Sequence, residues 1–209
     1  MRLLTIASAA PLLALCAACT ASGIHRPHDV RLHGGLHVPT DDVVGGMTTG
    51  DGNDKTWGIE YIHSKARGEL GFEVAAFQSI SDGSGTNTLP GLGLGPANVD
   101  KRMSDLRAGL NYPLERIWNF ETDLGLGLAY VDTAITSNID GGPDLHFEDQ
   151  GPAAYAKIAT MAPITDSIAV GVDLRYLAPF QNFEDTQQGV SFDANLSEWQ
   201  ATLFLALTW

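Results

Sequence analysis

Cysteine is nearly missing from this chain: its 209 residues include two, Cys16 and Cys19, and none after them. No disulfide can staple the rest, so its stability must come from packing, backbone pairing and paired charge. Basic residues are also scarce, 12 Lys and Arg against 25 Asp and Glu, for a formal net charge of -13. So acidic a chain is repelled by phosphate, which argues against a nucleic-acid partner. Beyond about Ala18, no apolar run reaches the roughly 18 residues that a membrane-crossing helix needs. That excludes helical spans and leaves strands open.

The first residues read as an export signal. "MRLLTIASAAPLLALCAACTASG" has a basic start at Arg2, an apolar stretch and then small residues, which is a secretory signal peptide over 1–22. Two cleavage sites compete. "CAAC", ending at Cys19, resembles a bacterial lipobox and would place a lipidated Cys19 at the new N-terminus, although Cys16 stands where that motif usually has Leu. "TAS" before Gly23 suits an ordinary signal peptidase. A short lead over 23–28 then precedes a single domain over 29–209.

That domain alternates with period two almost throughout. Val30, Leu32, Leu36 and Val38 oppose Arg31, His33 and His37. Leu124, Leu126, Leu128 and Tyr130 oppose Asp123, Gly125, Gly127 and Ala129. Trp199, Leu203, Leu205, Leu207 and Trp209 oppose Glu198, Gln200 and Thr202. Eight such segments occur, and one parity is aliphatic with Trp or Tyr towards its ends. A soluble sandwich has no reason to put aromatics there, whereas a lipid-facing barrel does, because Trp and Tyr settle at the two membrane interfaces. Connections alternate as well. "SKARG", "PLER" and "APITD" are short, and the stretches near 39–55, 79–100, 132–151 and 178–196 are long. The expected fold is all-β, an eight-stranded antiparallel transmembrane β-barrel with short periplasmic turns and long external loops. Closing the last strand on the first leaves no unpaired edge in lipid.

In "FETDLGLGLAY" (120–130), "VGVDLRYLAP" (170–179) and "WQATLFLALTW" (199–209), the chain resembles the small eight-stranded bacterial outer-membrane barrels. These are the type of the OmpA transmembrane domain, OmpX and the opacity-like proteins. The resemblance implies integral residence in the outer membrane as a monomer, in contact with outer-membrane lipid and lipopolysaccharide. It also implies biogenesis through periplasmic chaperones and the barrel-assembly machinery. Leu203, Leu205, Leu207 and Trp209 match the C-terminal signal that this machinery recognises.

Ten charged residues fall on the inward parity: Arg31, Glu60, Glu73, Asp105, Arg107, Glu121, Asp123, Lys157, Asp173 and Arg175. The interior of an eight-stranded barrel is just wide enough for side chains to fill it. Charges there must pair, because isolated ones are too costly to desolvate. The expectation is a network that plugs the lumen, with a narrow ion path as the alternative. No metal or cofactor is expected. His33 and His37 share a face but stand about 13 Å apart, too far for one ion at about 2 Å from each. "HRPH" (25–28) reads as polar tether, and "DGND" (51–54) is followed by Lys55 where a calcium loop needs an oxygen.

Catalysis finds little support. A lipid-deacylase reading needs His and Ser two apart on a strand, but His63 and Ser64 are adjacent and should face opposite sides. No G-x-S-x-G elbow is present, and "GLGLG" (91–95) has no following helix or Lys to cradle phosphate. The expected role is therefore non-enzymatic: envelope structure or surface interaction through acidic external loops. A small pore is the runner-up, and an outer-membrane lipid-modifying hydrolase comes third.

Overall fold

The computed structural model describes residues 27–39, 43–44, 47–48, 54–64, 69–87, 95–114, 116, 118–139, 144–187 and 190–209. The expected signal peptide with Cys19, and Asp41, Asp42 and Asp51 of the first long loop, lie outside them. The strands are β1 (His28–Pro39), β2 (Val43–Val44), β3 (Met47–Thr48), β4 (Lys55–His63), β5 (Gly71–Asn87), β6 (Gly95–Pro113), β7 (Glu121–Ile139), β8 (Asp144–Pro163), β9 (Ile168–Pro179), β10 (Phe183–Gln187), β11 (Val190–Ala194) and β12 (Glu198–Thr208).

Eight of them close a barrel. In order around the wall these are β1, β4, β5, β6, β7, β8, β9 and β12, all antiparallel to their neighbours. β12 returns to β1 in register, with Leu205 opposite Leu32 and Gln200 opposite His37. β10 and β11 form a separate hairpin, and β2 and β3 a short ladder beside β5. Both ends of the described chain lie with the connections after β4, β6 and β8 at one end of the barrel, the turn end. β1 begins at His28, so the strand takes in the last residue of the expected lead.

The two parities separate as the alternation requires. Outward side chains are aliphatic and bare: Leu106 is 67 % exposed, Leu126 65 % and Leu203 62 %. A belt of this size facing water would be strongly unfavourable, so it faces lipid. Aromatics edge it, with Tyr61, Tyr112 and Trp209 towards the turn end and Trp57, Tyr130, Tyr176 and Trp199 towards the loop end. From Trp199 to Trp209 the strand rises about 33 Å at 3.3 Å per residue. At a strand tilt of about 40° that is about 25 Å along the barrel axis, the height of an apolar band in an outer-membrane barrel.

Two of the expected long loops are mostly strand. β5 and β6 run on until only 88–94 separates them, and β7 and β8 until only 140–143 does. Past the aromatic edge the polarity of the two faces inverts. Outward positions become Asp100, Arg102, Asp132, His146 and Glu148, while inward ones become Val99, Met103, Val131, Ile135, Leu145 and Phe147, all buried. Above the bilayer the wall meets water, so the apolar parity must turn inward. A pattern sought with fixed polarity reads this stretch as loop.

Inward glycines set the bore. A Cβ on Gly58 would lie 2.5 Å from the Phe77 ring, so an eight-stranded wall admits that ring only opposite glycine.

Candidate functional site

Three contacts join walls that stand opposite one another, four strands apart in the ring of eight. Lys157 on β8 donates from Nζ to Glu60 Oε1 on β4 at 2.8 Å. Arg31 on β1 donates to Asp123 Oδ2 on β7 at 2.8 Å. Arg107 on β6 donates to Gln200 Oε1 on β12, also at 2.8 Å. The bore is thus bridged across its diameter along three directions, each at hydrogen-bond length.

Around these bridges the charges form one network. Lys157 also lies 2.6 Å from Glu73 Oε2 and 3.5 Å from Asp123 Oδ1. Arg175 grips Asp173 through Nε at 2.7 Å and Nη2 at 2.6 Å, and reaches Glu60 Oε1 at 3.0 Å. Arg31 adds Asp29 at 3.2 Å, and Arg107 is held by Asp105. Glu73 accepts from Tyr155 Oη at 2.7 Å and Asn111 Nδ2 at 3.3 Å. Towards the loop end Glu198 collects Gln200 Nε2 at 2.7 Å, His37 Nδ1 at 3.2 Å and Lys101 Nζ at 3.4 Å. Phe77 lies between two guanidiniums, with Arg107 4.5 Å and Arg175 4.3 Å from its centroid. Such charges are tolerable away from water because each meets an opposite partner.

Nine of the ten inward charges expected from the sequence join this network. Glu121 does not. At the start of β7 its side chain is 40 % exposed and pairs with Arg116 at 3.8 Å on the turn-end rim, where the wall opens to solvent. Asp29, Asn111, Tyr155, Glu198 and Gln200 also belong to the network and sit on the inward parity, and so do His33 and His37, which the sequence offers only as a rejected metal pair. Lys101 adjoins the stretch expected as loop, 79–100, and lies before the alternation that begins at Asp105. Leu203, Leu205, Leu207 and Trp209 all point outward, and the Trp209 backbone exchanges hydrogen bonds with His28 at 3.0 and 3.3 Å.

Two constellations invite other chemistry. His33, Glu60 and Asp173 place ligand atoms within 4.8 Å of one another. Arg31, Lys157 and Arg175 already engage those carboxylates, and three fixed cations there oppose a divalent ion. On the outward face beyond the belt, His146 bridges Thr136 Oγ1 at 3.0 Å and Glu148 Oε1 at 2.7 Å. His146 and Glu148 side chains are 53 % and 68 % exposed, unlike the water-excluded pocket that acyl transfer uses. His63 and Ser64 do face opposite sides: Ser64 donates to Asn111 Oδ1 at 3.2 Å, while His63 packs on Phe72.

On the loop side of the three bridges, at the height of Glu198, Met103, Val131, Tyr155 and Leu177 pack together as an apolar cluster. A recess lined by Val131, Gly151, Pro152, Pro179 and Leu196 offers about 30 Å³, room for about one water molecule.

No protein-family model matches the chain, and no curated protein does. Solved structures do match. The outer membrane protein OprG of Pseudomonas aeruginosa aligns with a TM-score of 0.60 at 14% identity, over 88% of this chain and 97% of that one. Neisserial surface protein A aligns at 0.55 and 10%, over 88% and 97%. A major outer membrane protein of Thermus thermophilus aligns at 0.54 and 11%, over 87% and 98%. At such identities the likeness is one of fold.

Proposed function

We infer, from a chain folded as the small eight-stranded outer-membrane barrels are, that it is a non-conducting, non-enzymatic integral protein of the bacterial outer membrane. It acts through the surface it presents beyond the bilayer. The observation that carries this reading is the set of three diametric bridges at 2.8 Å, between Lys157 and Glu60, Arg31 and Asp123, and Arg107 and Gln200. An ion crossing that layer would have to break a buried, charge-assisted hydrogen bond on every side. The apolar cluster on the loop side of the three bridges adds a second obstacle to a hydrated ion.

What remains to act is the wall that rises past the aromatic edge. Its outward side chains include Asp82, Asp100, Asp132, Asp144 and Glu148, against Lys55 and Arg102, and the β10–β11 hairpin adds exposed Glu184. Such a surface repels anionic partners and favours cationic ones, or contacts bridged by divalent cations, over about 8 Å at physiological salt. The β10–β11 hairpin is the natural part to remove, because loop length couples only weakly to stability. The runner-up, a small pore, draws on the polar atoms that find no hydrogen-bond partner inside the protein, including Arg31 Nη1, Glu60 Oε2 and Arg175 Nη1. These are places for interior water.

Planar-bilayer recording separates the two readings. The purified barrel should show no stepwise conductance, and a barrel lacking 183–194 should fold normally yet lose binding to cationic or divalent-bridged surfaces. Unitary steps in the wild type that disappear in Arg107→Ala would replace this reading with the pore.

A further inference from the structure

The turn end carries a pair of histidines that the network does not use. His28, the first residue of β1, and His63, the last of β4, are cross-strand partners. Their Nδ1 atoms face each other at 3.4 Å, with ring centroids 4.8 Å apart. Two nitrogens bound to one tetrahedral zinc at 2.0–2.1 Å stand about 3.3–3.4 Å apart, so the pair already has the separation that a shared ion imposes. As a hydrogen bond the same contact is long.

The surroundings suit an ion better than they suit a bare pair. Tyr61 brings its hydroxyl within hydrogen-bond distance of His28 Nδ1, at 2.8 Å, so a third polar atom stands beside the pair. Trp209 stacks on His28 at 5.7 Å and 20°, and Phe72 packs against His63 at 5.2 Å, so both imidazoles are held by ring contacts. Both residues are half-buried and lie on the outward parity at the turn-end rim, beside the aromatic edge of the belt. Neither imidazole has an Arg or Lys among its described contacts, in contrast to the His33, Glu60 and Asp173 group.

We propose that His28 and His63 form a binding site for a first-row divalent transition metal, Zn²⁺ by its geometry, at the rim where the barrel closes. The two Nδ1 atoms supply the protein ligands, with the protons carried on Nε2, and the Tyr61 hydroxyl or solvent completes the coordination. Imidazole donors select Zn²⁺, Cu²⁺, Ni²⁺ or Co²⁺ over Mg²⁺ and Ca²⁺. His28 also exchanges backbone hydrogen bonds with Trp209, so an ion there ties β1 to β4 beside the seam between the first and last strands.

The test uses the exported chain without an affinity tag, folded in detergent, with Zn²⁺ followed by calorimetry and Co²⁺ by its visible absorption. One ion per barrel is expected, with affinity falling at least tenfold in His28→Gln and in His63→Gln. His146→Gln, which alters the exposed His146–Glu148 pair, should bind as the wild type does. Retention of the heat-modifiable gel shift shows that each variant is folded. Zinc-edge absorption spectroscopy on the wild type, which needs no variant, should find two imidazole ligands. Wild-type affinity in folded His63→Gln, or fewer than two imidazoles in the spectrum, overturns the site.

Discussion

Replacing Lys157 with Met removes the cation that joins three walls while keeping most of the side-chain volume. Lys157 meets Glu60 at 2.8 Å, Glu73 at 2.6 Å and Asp123 at 3.5 Å. The losses are unequal. Glu60 keeps Arg175 at 3.0 Å and Arg31 at 3.8 Å, and Asp123 keeps Arg31 at 2.8 Å. Among the described residues, the hydrogen-bond donors that Glu73 keeps are the neutral Tyr155 and Asn111. The variant therefore strands one buried carboxylate, and breaking a buried pair from one side costs about 3–5 kcal/mol. For a domain of this size each kcal/mol lowers the midpoint by about 2–4 °C, so the loss should be about 6–20 °C. The assay is the temperature at which the folded band converts to the unfolded one on a semi-native gel, with exposed Lys55→Met as control. Adding Glu73→Gln to Lys157→Met should recover about 1–3 kcal/mol, because the stranded charge is then gone. A Lys157→Met barrel that melts with the Lys55→Met control, or a double variant no better than the single, would refute the network as drawn.

The outward belt makes its own prediction: Leu126→Arg should cost about 2–4 kcal/mol in lipid, whereas Asp132→Arg, on the same face of β7 but past the aromatic edge, should cost almost nothing. Equal urea midpoints in vesicles for those two variants would move the edge of the membrane. Gly127→Ser should destabilise although it faces inward, since a Cβ there would press on the β6 backbone at Ala108 and Gly109 and on the Tyr155 ring; loss of the heat-modifiable band checks it. Trp209→Asp should leave the protein unassembled, with little folded barrel in the membrane fraction, because it places a charge where the terminal strand presents its closing aromatic to lipid.

Alternation by itself determined the wall. Every residue of Leu203, Leu205, Leu207 and Trp209 points outward, as strand geometry dictates once one parity is aliphatic, and Arg31, Lys157 and Arg175 point inward for the same reason. Closure was legible too, since an apolar final strand has to pair with something. The sequence could not say which charge meets which. Lys157 and Glu60 are 97 residues apart and Arg31 and Asp123 are 92, and they meet only because strand order puts them on opposite walls and register puts them at one height. The inversion of faces above the bilayer was hidden as well. Whether Met103 or Arg102 should face inward depends on where the lipid ends along β6, and that height is fixed by the tilt and stagger of all eight strands together. The same dependence kept Lys101 and Glu198 apart on the page, and it took β1 lying beside β4 to turn His28 from a residue of the lead into the partner of His63.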